Sequence, residues 1–229
     1  MIISIIVPIY KELTLFSSDS NVLSLLNLAN TEVIICEALP TSDRMVLICQ
    51  ELGFKYVVSD VASRSVQMNL GAEHACGEVL VFLHADVKPP LSFLDSIRVA
   101  IKNKKDFGFF AYHFFPSSRW LDINAKFTHR DGFFAGGGDQ IHFMTKSFFG
   151  LMNGYDETYC IMEDFEFTRR VKRLKISPEI IRTEATVSSR KYQNNSYLRV
   201  NLANLWAVIL FYFGVKPEHI KQFYTHIIK

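Results

Sequence analysis

Along the first half of the chain, short apolar runs alternate with stretches whose apolar residues recur at helical spacing. That alternation predicts β-α-β units around a mainly parallel sheet. The runs at residues 2–7, 32–36, 55–58 and 79–83 read as strands, and residues 21–30, 43–52 and 64–76 between them read as helices. Ser42, Asp43 and Ser63 stand where helix caps belong. Right-handed crossovers bring the loops that follow each strand to one rim. The fourth run, Val79-Leu80-Val81-Phe82-Leu83, is apolar at every position, as in a strand buried on both faces, and it stops abruptly at His84-Ala85-Asp86. It therefore delivers a histidine and an aspartate to the carboxyl edge of the sheet, where ligands of such sheets bind. A desolvated, unpaired carboxylate is costly, so Asp86 is expected to be solvated, paired with a base, or set against a divalent cation.

Beyond Pro89-Pro90 the spacing predicts a helix over 91–102 and an aromatic strand over 107–115. Residues 130–139 follow neither period, and Asp131-Gly132 with Gly136-Gly137-Gly138 predicts a flexible loop. The triple glycine matches neither the dinucleotide fingerprint nor a P-loop, which needs a following Lys-Ser or Lys-Thr. A further helix opens at Met162-Glu163-Asp164-Phe165-Glu166 and ends near Lys175, and two more are expected over 201–215 and 217–228, broken at Gly214.

Composition narrows the class. A chain of 229 residues that is 49% hydrophobic can bury a full core, and a formal charge of +2 with scattered cations argues against nucleic-acid binding. The one basic cluster, Arg169-Arg170-Val171-Lys172-Arg173, reads as a solvated helix face. Cys36, Cys49, Cys76 and Cys160 form no Cys-x-x-Cys pair and are expected as buried free thiols, which fits a reducing cytoplasm. The first residues read as a strand rather than a signal. The stretch from Leu202 to Val215 falls short of the ~20 residues a spanning helix needs and carries Asn204. Core packing is expected there. The secondary alternative is peripheral contact at the inner face of a membrane, which Trp206, Phe211, Tyr212 and Phe213 would suit.

Several polar groups sit where chemistry could use them. Tyr10 and Glu12 follow the first strand, and Glu37 ends the second; an aromatic ring can stack on a base while carboxylates accept from ribose hydroxyls or a base N–H. Arg64 opens a helix, where a cation opposes the dipole unless an anion compensates it. Glu163, Asp164 and Glu166 exceed what capping of one helix requires, and one of these carboxylates could take a proton from an attacking hydroxyl.

Taken in order, these stretches resemble a family 2 glycosyltransferase of the GT-A fold. The resemblance rests on Val7-Pro8-Ile9-Tyr10-Lys11-Glu12, the acid Glu37, Gln67-Met68-Asn69-Leu70-Gly71-Ala72, Gly77-Glu78 leading to Leu83-His84-Ala85-Asp86, and Gly154-Tyr155-Asp156-Glu157 followed by Glu163-Asp164-Phe165-Glu166. The wording is most similar to a bacterial subgroup of small members, which shares Gly138-Asp139-Gln140 and Gly214-Val215-Lys216-Pro217-Glu218. The resemblance implies an α/β nucleotide-diphospho-sugar transferase domain over residues 1–190. Its nucleotide-binding half is 1–90, its acceptor and catalytic half 91–190, and a helical extension follows over 191–229. It implies transfer, of hexosyltransferase type, from a nucleoside-diphosphate sugar to an acceptor hydroxyl. Pro8, Tyr10, Glu12, Glu37, Arg64 and Ala85 would surround the nucleoside, and Asp86 would hold Mn²⁺ or Mg²⁺ on the diphosphate. Asp164 would be the base, with Glu163 supporting it and inversion as the outcome. His84, Asp139, Gln140 and Asp156 would lie toward the acceptor.

The chain departs from the family at His84, where the metal motif has its first acid, and an imidazole is a poor ligand for a hard cation. Leu39-Pro40 stiffens the loop after Glu37, Lys11 replaces a usual Asn, and Met68 a usual Arg. The competing reading is a catalytically silent nucleotide-sugar-binding or assembly protein of the same fold.

Overall fold

The structure, a computed structural model, describes residues 1–11, 29–132, 134–137 and 139–228. Glu12, Gly138 and all but the last two residues of the helix expected over 21–30 lie outside the described residues. Strands β1 (Ile3–Ile9), β2 (Thr31–Ala38), β3 (Lys55–Ser59), β4 (Val79–Phe82), β5 (Val87–Lys88), β6 (Phe107–Phe115), β7 (His142–Thr145) and β8 (Glu179–Ser188) form one sheet. Its order is β3-β2-β1-β4-β7-β6-β8-β5. The first four strands are parallel, with Ile5 of β1 opposite Val33 on one side and Val81 on the other. Beyond them β7 enters antiparallel between β4 and β6, while β8 runs parallel to β6. The sheet is thus mixed and mostly parallel.

Helices lie on both faces, which explains the uninterrupted apolar runs. Along β1, Ile5 and Val7 join one buried cluster with Val81, Ile97 and Phe143, whereas Ile6 joins another with Ile34, Leu80 and Phe167. Each such side chain contributes roughly 1.5–3 kcal/mol on burial, so a polar residue at either parity would be expensive. Helices α1 (Asp43–Leu52) and α2 (Arg64–His74) follow β2 and β3, near the expected bounds. A Cβ on Gly71 of α2 would lie 2.4 Å from Cγ2 of Ile6 and 2.9 Å from Sγ of Cys36, so only glycine lets this helix settle on the sheet. Helices α3 (Phe93–Lys102), α4 (Arg119–Lys126), α5 (Lys146–Leu151), α6 (Glu163–Arg173) and α7 (Arg190–Asn194) complete the body. The tail forms α8 (Tyr197–Tyr212) and α9 (Pro217–Ile227). Helix α8 starts earlier than its apolar pattern suggests because the Ser196 hydroxyl accepts from the amide of Arg199.

Three expectations are corrected. Cys36 and Cys49 are buried, and desolvation pushes their thiols up to about 12 and about 11, but Cys76 is exposed and Cys160 half-buried. The basic cluster is not a solvated face. The Arg169 guanidinium lies 4.3 Å from the centre of the Phe211 ring, and Arg170 Nε donates to both carboxylate oxygens of Glu166 at 2.8 Å. The described part of the glycine loop is anchored as well: the Gly136 amide donates to Gln140, and its carbonyl accepts from Thr168 at 2.9 Å. There the glycines serve close approach, since a Cβ on Gly136 would meet Thr168 at 2.3 Å.

Candidate active site

Helix α6 begins at the sheet's carboxyl edge, after Met162 at φ 66°, and its first two residues are Glu163 and Asp164. Both are almost fully buried, at 1% and 3% exposure. Helix N-termini favour anions, but that alone does not offset the burial of two adjacent carboxylates, and the surrounding cations decide the balance. His84, at the end of β4, directs Nε2 toward Asp164 Oδ2 at 3.5 Å. Arg64, at the start of α2, places Nε 2.8 Å from Glu163 Oε1. That second contact is charge against charge, because neither Glu163 oxygen accepts a well-directed hydrogen bond from a described residue.

The neighbours push the two carboxyls apart. Burial raises Asp164, but the hydrogen bond from His84 and the nearby His142, His84 and Arg64 outweigh it, leaving Asp164 below the usual aspartate value. Burial raises Glu163 too, and there the opposing pull of Arg64 is insufficient, so Glu163 lies above its usual value. Burial disfavours charge on His84, yet its hydrogen bond and attraction to Asp164 prevail and raise it. Adjacent titrating groups driven in opposite directions are a signature of assigned acid-base roles. Asp164 is the member whose charged form the surroundings favour.

Both carboxylates open on a cavity of about 250 Å³. Its polar walls include Arg64, Asp139 and Lys191, and its aromatic walls Tyr112, Tyr192 and Tyr224. Asn204, Ala207 and Val208 of α8 complete it, so the tail closes one side. Met162, Phe211 and Ile220 form the apolar cluster that seats α8 and α9 there.

The other sequence candidates are distributed around this centre. Pro8 is buried in β1, Tyr10 is exposed with Lys11 Nζ 5.1 Å from its ring centre, and Ala85 and Asp86 are half-buried in the turn after β4. Glu37 is turned inward: Oε2 accepts from the Tyr56 hydroxyl at 2.6 Å and from the Ser42 amide at 3.2 Å. Gln140 is engaged with backbone, donating to the Phe110 carbonyl at 3.0 Å and accepting from the Gly136 amide at 2.7 Å, so it braces the loop rather than facing the cavity. Asp156 holds Thr158 in its turn and is not among the cavity walls. Asp139 does line the cavity.

Some residues acquire roles that the sequence reading did not assign. Gln67 Nε2 donates to the carbonyls of Ile9 and Cys36 at 2.7 and 2.6 Å, tying together the ends of β1 and β2. Asn69 clamps the backbone of Tyr155 through both its amide atoms at 2.9 Å. His142 is buried beside Asp164, with its ring between the Gly136 carbonyl and the Tyr155 hydroxyl. Its position two residues after Gln140 was the only available signal. Lys191, Tyr192 and Tyr224 had none, because they come from helices distant in sequence.

As for metal, among the described residues no group of three His, Cys, Asp or Glu side chains is placed to hold an ion. His84 is committed to Asp164. Asp86 remains as a half-buried carboxylate whose charge reaches both Arg64 and Lys191. Mg²⁺-type sites often use one or two carboxylates and complete the shell with substrate phosphates, so Asp86 fits a site that a diphosphate finishes.

Comparison with known proteins bears on the family and the fold. Residues 4–159 match the family described as Glycosyl transferase family 2. No curated protein sequence matches. Among solved structures, TarS 1-349 of S. aureus superposes with a TM-score of 0.64 at 14% identity, over 98% of this chain and 69% of that one. The same TarS fragment in complex with UDP-GlcNAc gives 0.60 at 15% identity, over 99% and 71%. The chain covers 43% of a longer TarS structure. The mannosyltransferase PcManGT of Pyrobaculum calidifontis, in complex with GDP-Man and Mn²⁺, gives 0.60 at 14% identity, over 90% and 61%.

Proposed function

We propose, from the premise that the chain belongs to glycosyl transferase family 2, that it moves a sugar from a nucleoside diphosphate to an acceptor hydroxyl with inversion, using Asp164 as base. The observation that carries this reading is Asp164 itself: a buried carboxylate whose charged form is favoured by the hydrogen bond from His84 and by nearby Arg64, opening on a cavity that also holds Lys191. In the proposed step the acceptor O–H gives its proton to Asp164 as its oxygen bonds to the anomeric carbon. The bond from that carbon to the β-phosphate oxygen breaks on the opposite side, which inverts the centre. The departing diphosphate is met by cations already in place, so little reorganisation accompanies the charge transfer. A divalent cation, when bound, would add neutralisation of that leaving group. Among this chain's residues Asp86 is the one that would hold it. Glu163, held toward Arg64, is suited to orient the acceptor beside the base. Incubation with UDP-, GDP- and dTDP-sugars, reading release of nucleoside diphosphate with and without Mn²⁺, tests the reading. No release from any donor would favour the silent nucleotide-binding alternative, for which the inward turn of Glu37 is the supporting observation.

Two variants probe the parts separately. Asp86→Asn is expected to remove the Mn²⁺-dependent increment of UDP binding while leaving the metal-free binding intact. The readout is thermal shift, where ligand at about 100 Kd stabilises by about 2.7 kcal/mol. An unchanged Mn²⁺ increment in the variant would dismiss Asp86 as the ligand. His84→Gln removes one of the cations that oppose the desolvation of Asp164 and leaves only a neutral amide to donate to it. In the parent, the hydrogen bond from His84 and the nearby cations hold Asp164 below the ordinary aspartate value despite its burial, so the acid limb of kcat/KM lies on the acid side of an ordinary aspartate. In the variant that limb should move to higher pH. A pH profile with an unmoved acid limb would separate His84 from the base.

A further inference from the structure

We propose that the outer face of α4 and α8 docks on an anionic lipid bilayer. An ordinary surface helix has one apolar face and one polar face. Helix α8 has two apolar faces. Val200, Ala203, Ala207 and Phe211 bury one against the body. On the other side Leu198, Leu202, Leu205 and Trp206 recur at spacings of four, three and one, and all are exposed, at 39–64%. Helix α4 continues this surface: Trp120 and Ile123 are exposed one turn apart, with Phe127 a further turn on. The two helices are joined side by side, since Asn124 Nδ2 donates to Asn201 Oδ1 at 2.7 Å and the rings of Trp120 and Tyr197 lie 5.8 Å apart. The result is one apolar surface carrying two tryptophans, the residue type enriched at the boundary between water and hydrocarbon.

The charge around it selects the partner. Between Glu184 and Glu218 the chain carries no acid, and apart from Lys191, which lines the cavity, its cations Arg190, Arg199 and Lys216 are exposed. Arg119 and Lys126 flank the exposed stripe of α4, and its one acid, Asp122, accepts from the Ser117 hydroxyl. An apolar face with a basic border complements anionic headgroups over acyl chains. A second copy is disfavoured, because a two-fold contact would set this border against itself. Among the described residues no helix is long and apolar enough to cross a membrane, so the mode is lying on the surface rather than spanning. The inner face of α8 supplies Asn204, Ala207 and Val208 to the cavity that holds Asp164, so a docked bilayer and the cavity would share one wall.

The test is flotation of the full chain with vesicles of phosphatidylcholine alone and of phosphatidylcholine mixed with phosphatidylglycerol. Binding is expected to the mixed vesicles and to be weakened by salt. The double variant Leu202→Ser/Trp206→Ser should lose at least about tenfold in partition, and Arg199→Ala about fivefold on the anionic vesicles alone. Both variants alter exposed side chains, and unchanged circular dichroism and thermal midpoint would show that they fold. The proposal is overturned by three results: no flotation with mixed vesicles, a double variant that floats like the parent, or a lipid-free dimer that the double variant disperses. UDP and GDP binding measured without vesicles is independent of all three, so failure of the transferase reading remains separately visible.

Discussion

Asp164→Asn is expected to lower kcat by about 10²–10⁴-fold, the usual contribution of general-base catalysis, while donor affinity changes little. Asparagine keeps the size of the side chain and can still meet His84, so the local packing survives. What it loses is the ability to accept a proton from the acceptor hydroxyl. The neighbouring Glu163 is a poor substitute for two reasons on this structure. Successive helical residues point about 100° apart, so both cannot face one anomeric carbon. Glu163 is also held by Arg64, whose Nε lies 2.8 Å from Oε1, so its carboxylate is turned to that cation. Glu163→Gln should therefore be milder in kcat and show mainly in the KM of the acceptor. Steady-state kinetics on both variants decide the assignment. A near-normal kcat for Asp164→Asn would remove Asp164 from the mechanism and turn attention to Glu163 or Asp139.

Phe167→Ala is expected to cost about 3–5 kcal/mol of stability, the range for emptying a large aromatic site in a packed core. Phe167 lies one turn beyond Asp164 on α6 and is fully buried. Its ring stacks on Phe149 at 6.2 Å between centres and lies 5.5 Å from Phe107 and 5.0 Å from Tyr155. These rings belong to α5, β6 and the turn that Asn69 clamps, so they have no common freedom to collapse into the space. For a chain of this size each kcal/mol lowers the midpoint by about 2–4 °C, giving a fall of roughly 6–20 °C. Phe167→Leu, which keeps most of the volume, should cost much less. The pair tests whether the helix that presents the base is fixed through this aromatic cluster. A midpoint for Phe167→Ala within a degree or two of the parent would show that the helix is held by something else, the Arg170–Glu166 pair being the next candidate.

The architecture was legible where burial is symmetric. Strands β1, β2 and β4 and helices α1 and α2 stood out because a strand covered on both faces is apolar over most of its length and a covering helix must repeat its apolar residues every three or four, while the edge strand β3 showed only as a short run of Tyr56, Val57 and Val58. Strand β8 did not stand out, since Arg182, Thr183 and Glu184 break its pattern and much of it is only half-buried. Strand β7 is four residues long, too short to show a period. Helix α8 was expected as a helix, but its start depended on the Ser196 cap rather than on any apolar spacing.

The site divides in the same way. From residue order alone, His84, Asp86, Glu163 and Asp164 could be singled out, because ionisable groups that end an apolar run or crowd a helix start are unusual wherever they occur. The direction of each side chain was not in the order of residues. His84 turns to Asp164, Glu37 turns inward to Tyr56, and Gln140 satisfies backbone groups instead of a substrate. His142 and Lys191 join from distant segments because β7 inserts beside β4 and α7 brings Lys191 to the cavity wall. Periodicity is a local property, set by the geometry of one strand or one helix, and the chain states it openly. Which charges meet is a property of how those elements are arranged against each other, and in this protein those meetings, rather than the residues by themselves, set Asp164 and Glu163 on opposite sides of their ordinary values.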